Sequence, residues 1–325
     1  MPFPRRRFLR LAAGAAALPA LGRRARAQSY PARPVRIVVG YPAGGSTDLV
    51  ARIIGARLSE RLGQSFVIEN KPGAGTNLAA QAVVAAAPDG YTLLFVATTN
   101  AINASFHKTL PFDFLRDIAP VAGLVDLPFV MEVGASVPVK TVAELVALAK
   151  AEPGKVNTAS FGTGTISHLA WELFKSMTGV EVVHVPYPGG APMVTDMIAG
   201  RVQAGIDALP NSLPHIQSGA LRALAVTGPA RTDKLPDVPT VGETVKGYEV
   251  SGWTGIGVPA GTPKEIVATL NREINAALSD PGIAARLADV GGRPIILTPD
   301  AFGKVWLRDT DKWAKVLQAS AAKPQ

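Results

Sequence analysis

The sequence predicts an α/β protein of two units, each a parallel sheet covered by helices. Three observations carry that prediction. Short β-rich runs alternate with helical windows, the pattern of strands whose crossover helices lie on both sheet faces. Two extended apolar segments, broken by Gly and Pro, look like crossings between units. The roughly 298 residues that follow the N-terminal leader are long enough for two modest cores.

The leader comes first. Arg5 and Arg6, followed by Phe8, Leu9 and Arg10, fit the twin-arginine pattern, and the apolar run Leu11–Leu21 follows. That run is shorter than the ~20 apolar residues a stable span needs. Ala25-Arg26-Ala27 offers an A-x-A cleavage site, so residues 1–27 read as a twin-arginine signal peptide and the mature chain starts at Gln28. The alternative is an uncleaved anchor, and Arg23, Arg24 and Arg26 are atypical so near a cut. The leader holds seven arginines and no acidic residue, so its removal takes the formal net charge from +8 to +1. A mature chain near neutrality gives no basis for nucleic-acid binding, which needs clustered phosphate-neutralising charge. No cysteine is present, which excludes disulfides, thiolate chemistry and Cys-ligated zinc.

Candidate strands are Val35–Val39, Phe66–Glu69, Tyr91–Ala97, Val156–Ser160, Val180–Pro186, Ala204–Ile206 and Leu221–Thr227. Helical windows fall between them at Thr47–Leu62, Val142–Ala151, His168–Met177 and Pro192–Ala199. Ser46 or Thr47 is suited to cap the first helix, with Asp48 in its first turn and Gly63 at its end. The crossings are "VAGLVDLPFVMEV" (Val121 to Val133) and "GYEVSGWTGIGVPAGTP" (Gly247 to Pro263). Residues 28–124 with 251–325 then form lobe one, and residues 125–250 form lobe two. The helices Lys264–Leu278, Ile283–Val290 and Asp300–Ala321 are expected to pack back on lobe one.

Four Gly-rich turns follow candidate strands: "GYPAGGSTD" (Gly40–Asp48), "KPGAGTN" (Lys71–Asn77), "FGTGTISH" (Phe161–His168) and "PYPGGAP" (Pro186–Pro192). Glycine permits the backbone conformations that let successive N–H groups converge on one oxyanion. Each turn also leads into a helix N-terminus, where unpaired N–H groups and the dipole favour an anion. The first and third turns are expected to face each other across a cleft.

Enzyme motifs are missing. Gly40, Gly44 and Gly45 do not have G-x-G-x-x-G spacing, and "GTGTIS" puts Ser167 where the third Gly belongs. "TASFG" around Ser160 lacks the leading Gly of a nucleophile elbow. His107, His168, His184 and His215 have no metal-binding spacing. His168, at a helix start, reads as a cleft-lining or capping side chain before a catalytic base. Asp207 either accepts a hydrogen bond from a ligand ammonium or hydroxyl, or caps the following turn. Tyr187 either offers its hydroxyl to an anion or packs at the hinge.

At these segments the chain resembles the periplasmic solute-binding receptors of tripartite tricarboxylate transporters, the Bug or TctC-like receptors. The matching stretches include "YPAGGSTDLVAR", "IENKPGAGTNLAA", "APDGYTLL", "GTISHLAWELF", "HVPYPGGAPMVTDMIAGRV", "LPHIQSGALRALAVTGPARTDKLPDVPTVGE" and "GVPAGTPKEIVATLN". The resemblance implies a type II periplasmic-binding-protein fold: two lobes, each with a mostly parallel sheet flanked by helices, joined by two crossing segments. It also implies that a ligand carboxylate is held by backbone amides and waters from one loop of each lobe. Carried onto this sequence, those loops are Tyr41, Ala43, Gly44, Gly45, Thr47 and Asp48 in lobe one, and Thr163, Gly164, Thr165 and His168 in lobe two. Ala74, Thr76, Asn77, Thr98, Thr99, Asn100, Tyr187, Gly190, Ala191 and Asp207 complete the wall. Two positions depart from the family pattern: Tyr41 stands where Phe is usual, and Gly189 replaces a more common basic or polar residue.

The expected function is a non-catalytic periplasmic receptor, monomeric and without cofactor or metal. It captures a small carboxylate (a di- or tricarboxylate, an aromatic acid or an amino acid) for the membrane components of a tripartite tricarboxylate transporter. The alternatives are a periplasmic sensor docking on a membrane signalling receptor, and an enzyme acting on carboxylic acids.

Overall fold

A computed structural model of the chain describes residues 30–107 and 109–319. The twin-arginine and cleavage motifs lie outside the described residues. In chain order the elements are β1 (Val35–Val39), α1 (Ser46–Leu62), β2 (Phe66–Asn70), a 3-10 turn at Ala74–Thr76, α2 (Asn77–Val84), β3 (Thr92–Ala97), α3 (Thr98–Phe106), α4 (Phe114–Asp117) and β4 (Ile118–Leu127). There follow β5 (Phe129–Gly134), α5 (Val142–Ala151), β6 (Asn157–Ser160), α6 (Ile166–Thr178), β7 (Val183–Pro186), α7 (Gly190–Ile198), β8 (Ala204–Ala208), α8 (Leu209–Gln217), β9 (Leu221–Val226) and α9 (Val241–Thr244). The chain continues through β10 (Gly252–Pro259), α10 (Lys264–Leu278), α11 (Pro281–Asp289), β11 (Arg293–Pro294) and α12 (Pro299–Ala319). Among the described residues no helix is long and apolar enough to cross a membrane.

Two sheets result, in the orders β11-β4-β10-β3-β1-β2 and β7-β6-β8-β5-β9. Strands β2, β1 and β3 are parallel, as are β7, β6 and β8. Strand β10 runs against β3 and β4, and β5 runs against β8 and β9. Each sheet is therefore mostly parallel, as expected, with only β10 and the short β11 reversed in the first and only β5 in the second. The cause is the crossing itself: β5 and β10 bring the chain into each lobe from the side towards which their neighbours point.

Period-two alternation in β1 builds a three-layer lobe. Val35, Ile37 and Val39 pack with Val50, Ile54 and Leu58 of α1 and with Leu270 and Ile274 of α10. Val38 faces the other way, to Ala80 and Val83 of α2 and to Phe302 and Trp306 of α12. In the second lobe, Met131 and Val133 of β5 meet Leu145 of α5 and Leu169, Trp171 and Phe174 of α6. Val130 faces Leu209 and Leu213 of α8.

The last helix departs from expectation. Phe302 and Trp306 belong to the first lobe's core, but Trp313 and Leu317, two and three turns on, belong to the second lobe's core. Ile102 and Phe106 of α3 join that second core as well. Two elements thus bridge both cores, the 21-residue α12 and the shorter α3, whose Ala101 faces the first core. Strand Val180–Pro186 is also shorter than expected, pairing only over Val183–Pro186, while Val180 and Val182 turn into the core.

The crossings are stitched together where they pass. Thr227 N–H donates to Phe129 O at 2.9 Å and Val250 N–H donates to Thr227 O at 2.8 Å. A Cβ on Gly252 would lie 2.5 Å from the Phe129 ring, so the close approach of the strands requires glycine there.

Candidate functional site

The two sheets aim their strand ends at one cleft of about 690 Å³, its open mouth included. The crevice beyond the carboxyl ends of parallel strands is the usual ligand position in open α/β sheets. Lobe one lines it with Tyr41, Pro42, Ala43, Gly45, Ser46 and Thr47 after β1, and with Thr98 and Thr99 after β3. Lobe two contributes Phe161 and Ile166, Gly189, Gly190, Ala191 and Pro192, then Asp207, Ala208 and Asn211. Leu127, Phe129, Gly252, Trp253 and Thr254 of the crossings complete the wall.

First-turn residues of α1, α3, α6, α7 and α8 all lie on this wall. A helix start leaves N–H groups without intrahelical partners and carries about half a positive charge. No lysine, arginine or histidine is among the lining residues. Such donors as the lining offers to an anion are therefore chiefly backbone N–H and hydroxyl groups, including those of Thr47 and Thr99.

At α1 the cap differs from expectation. Gly45, with extended backbone, holds the N-cap position and neither Ser46 nor Thr47 caps the helix. The Asp48 carboxylate instead reaches back to accept from Gly44 N–H at 2.9 Å, and from Asn70 Nδ2 and Arg52 Nε at 2.9 Å each. Burial raises the Asp48 pKa, but the hydrogen bonds from Arg52, Gly44 and Asn70 outweigh it and hold the group below the ordinary carboxylate value. Asp48 and Gly44 thus shape the turn from behind and do not reach the cleft. Ser46 N–H crosses to the other lobe, donating to Asn211 Oδ1 at 3.0 Å. Tyr41 donates its hydroxyl to Thr99 Oγ1 at 2.8 Å and sets its ring edge-on to Phe161 at 6.2 Å between centroids.

The third Gly-rich turn sends only Phe161 and Ile166 to the cleft wall; Thr163, Gly164, Thr165 and His168 are not on it. Its amides are spent locally: Gly164 N–H donates to His168 Nδ1 at 3.2 Å and Thr165 N–H donates to Gly162 O at 3.3 Å. His168 is a buried acceptor for its own loop, stacked on His184 at 4.0 Å, and burial lowers its pKa to about 4. A Cβ on Gly164 would meet Asn103 Oδ1 and the Phe106 ring at 3.0 Å each, so this loop docks on α3. The lobe-two turn that opens its backbone to the cleft is the fourth, at Gly189–Ala191.

Ala74, Thr76, Asn77 and Asn100 also lie behind the wall. Ala74 and Thr76 adopt positive φ, of 48° and 76°, a costly conformation for residues other than glycine. Asn100 Nδ2 holds the turn by donating to Thr76 Oγ1 at 3.1 Å, and Asn103 Nδ2 donates to Gly75 O. Tyr187 is off the wall too: its hydroxyl donates to Asp196 Oδ2 at 2.9 Å, while its ring packs with Met193 and Met197.

Asp207 is fully buried at the end of β8. Its Oδ1 accepts from Ala208 N–H at 2.7 Å and Asn211 Nδ2 at 3.3 Å, while Oδ2 has no partner among the described residues. Burial raises its pKa to about 7. Glu132 on β5 is equally buried; it accepts from Ser212 Oγ through Oε1 and leaves Oε2 unpaired. A Cβ at Gly190 would come within 2.6 Å of Asn211 Nδ2 and 2.8 Å of Asp207 Oδ2.

Sequence reasoning missed Asn211, Phe161, Phe129 and Trp253 as cleft residues. Asn211 had a local signal, since it lies four residues after Asp207 on a helix start, where i and i+4 side chains meet. The aromatics had none, because the crossing geometry brings them in.

Comparison with known proteins agrees with this architecture. Residues 50–321 match the family described as tripartite tricarboxylate transporter family receptor. Protein BugT of Bordetella pertussis is 37% identical over 302 residues, covering 91% of this chain and 92% of that protein. The structure of Rpa4515 of R. palustris with adipate matches with a TM-score of 0.86 at 39% identity, over 89% of this chain and 98% of that one. That of the periplasmic binding protein BugD matches with a TM-score of 0.86 at 32% identity, over 91% and 100%. The chain belongs to the tripartite tricarboxylate transporter receptor family, with its two-lobed periplasmic-binding-protein fold, and is a solute-binding receptor rather than an enzyme.

Proposed function

We propose, from that family membership, that the protein is a periplasmic receptor that captures a small organic carboxylate between its lobes. It delivers that ligand to the membrane components of a tripartite tricarboxylate transporter. The observation that carries this reading is the set of five helix starts lining a cleft whose described lining residues include no basic side chain. Fixed N–H donors and ordered waters bind a carboxylate through charge-assisted hydrogen bonds and supply no general acid, base or nucleophile. Gly190 and Ala191 amides with the Thr47 and Thr99 hydroxyls are the proposed donors, reached from opposite lobes. A ligand touching both lobes favours the form in which they are shut, so binding is coupled to hinge closure. The receptor is exported as a monomer through the twin-arginine leader at residues 1–27.

A melting-point screen of the purified mature chain against linear di-, tri- and monocarboxylates, aromatic acids and amino acids tests this. A ligand that binds only the folded state at about 100 times its Kd adds about 2.7 kcal/mol. The expected result is a rise with at least one organic acid, verified by calorimetry, and recovery of that acid unaltered. A flat response across the whole panel would overturn the reading.

A further inference from the structure

Among apolar walls and helix starts, the lining of the cleft contains one buried carboxyl group, Asp207, and its surroundings dictate its state. Asp207 Oδ1 already accepts two hydrogen bonds, while Oδ2 lies unpaired beside Gly190 on the cleft wall. A carboxylic acid fits this pattern: its carbonyl oxygen takes both N–H groups, and the unpaired Oδ2 carries the proton. An ionised carboxylate here would be a buried charge without a cation.

The groups around Asp207 agree. Glu132 on β5 is a second buried carboxyl, and its ionisation is opposed by burial and then by Asp207. Strand β6 brings no titratable side chain. On α6, Glu172 is paired with Lys175 at 2.8 Å and His168 is held neutral by burial. Asp196 on α7 is paired with Arg201 at 2.5 Å. His215 on α8 completes the titratable groups of the elements packed on β8. Across the cleft, Asp48 is paired with Arg52 at 2.9 Å. Among the described residues of these elements no lysine or arginine stands without a carboxylate partner.

We propose that Asp207, backed by Glu132 and held by Asn211, meets the far end of the ligand as a neutral acid. It donates Oδ2–H to a carboxylate oxygen, so the preferred ligands are dicarboxylates rather than monocarboxylates or amino acids. This rests on the carboxylate reading above and adds the chemistry of the second end. The ligand's own carboxyl groups, which ionise near pH 4 to 5, stay charged through neutral pH. Affinity therefore tracks the protonated fraction of Asp207, whose pKa lies at about 7.

Calorimetric titration with adipate, hexanoate and 6-aminohexanoate, and with their four- and five-carbon counterparts, separates the possibilities. These sets keep chain length and change only the far group. Some diacid should bind, about ten-fold more weakly at pH 8 than at pH 6, with its monoacid and ω-amino acid weaker still. Asp207→Asn, an amide that keeps both acceptor contacts and offers a donor, should retain diacid binding with a flat pH profile. Tighter binding of the ω-amino acid, strengthening with rising pH, would overturn the inference and make Asp207 an ionised acceptor. A pH-independent wild type would overturn it as well. If none of these acids binds while another organic acid does, the dicarboxylate assignment falls and the carboxylate reading stands; if no organic acid binds, both fall.

Discussion

Ser46 and Asn211 form a hydrogen bond across the two lobes, Ser46 N–H donating to Asn211 Oδ1 at 3.0 Å. Ser46 opens the first helix of lobe one, and Asn211 sits on the helix that follows Asp207 in lobe two. Through its other amide atom, Asn211 donates to Asp207 Oδ1 at 3.3 Å. One side chain thus links the lobe-one helix start, the lobe-two acid and the cleft between them.

Replacing that side chain should loosen closure. Asn211→Ala removes an interlobe hydrogen bond with a net worth of about 1 kcal/mol, which corresponds to about five-fold in affinity. Small-angle scattering of the ligand-free variant should show a larger radius of gyration than wild type. An unchanged radius and unchanged affinity would mean that the contact does not restrain the lobes.

Gly190→Ala tests the crowding of the cleft floor. The added methyl would stand 2.6 Å from Asn211 Nδ2 and 2.8 Å from Asp207 Oδ2, inside contact distance of both. Overpacking of this kind costs about 1–3 kcal/mol, and here it displaces the groups proposed to meet the ligand. Titration should show affinity reduced by about ten-fold or more, with a smaller change in urea midpoint. Wild-type affinity would place the ligand elsewhere.

The paired imidazoles predict acid sensitivity of the fold. His168 titrates at 6.5 when exposed and at about 4 in the folded protein, and burial with His168 nearby lowers His184 to about 3. The unfolded chain therefore takes protons first. The neutral imidazoles contribute fully above pH 6.5 and lose that contribution as pH falls towards 4. Asp207 has the opposite sign, because its raised pKa favours the folded state as pH falls through about 7. His168→Asn, which keeps an acceptor for Gly164 N–H, should flatten the decline in urea-unfolding free energy between pH 6.5 and pH 4. An unaltered slope would assign acid sensitivity to other groups.

Trp313→Ala should be costly in both lobes. The ring is buried in the second lobe's core on a helix rooted in the first. Truncating a buried tryptophan costs about 3–5 kcal/mol, and the urea midpoint should fall accordingly. A loss below about 1 kcal/mol would show that the C-terminal turns are peripheral.

Much of this molecule could be read from its residues. The runs at Val35–Val39, Val142–Ala151 and Lys264–Leu278 carry strong periodicity and form elements with those bounds. The crossings were legible because Gly and Pro break long apolar segments at Pro128 and around Gly252. Site residues divided by a different rule. Glycine-rich turns after β1 and after β7 open on the cleft, and so do Thr98, Thr99 and Asp207. The turn at Gly162–Thr165 has the same composition, yet its amides go to His168 and to itself. Composition reports that N–H groups can converge; it does not report which acceptor reaches them first. Phe161, Phe129 and Trp253 were invisible because only the passage of strands between lobes brings them together.

The helix shared by the lobes limits how such a receptor can move. With Phe302 and Trp306 anchored in one core and Trp313 and Leu317 in the other, a wide swing would pull an indole out of its seat. Travel must come from bending along a single shaft. Any opening that keeps both sets of anchors buried is then taken up along this one helix.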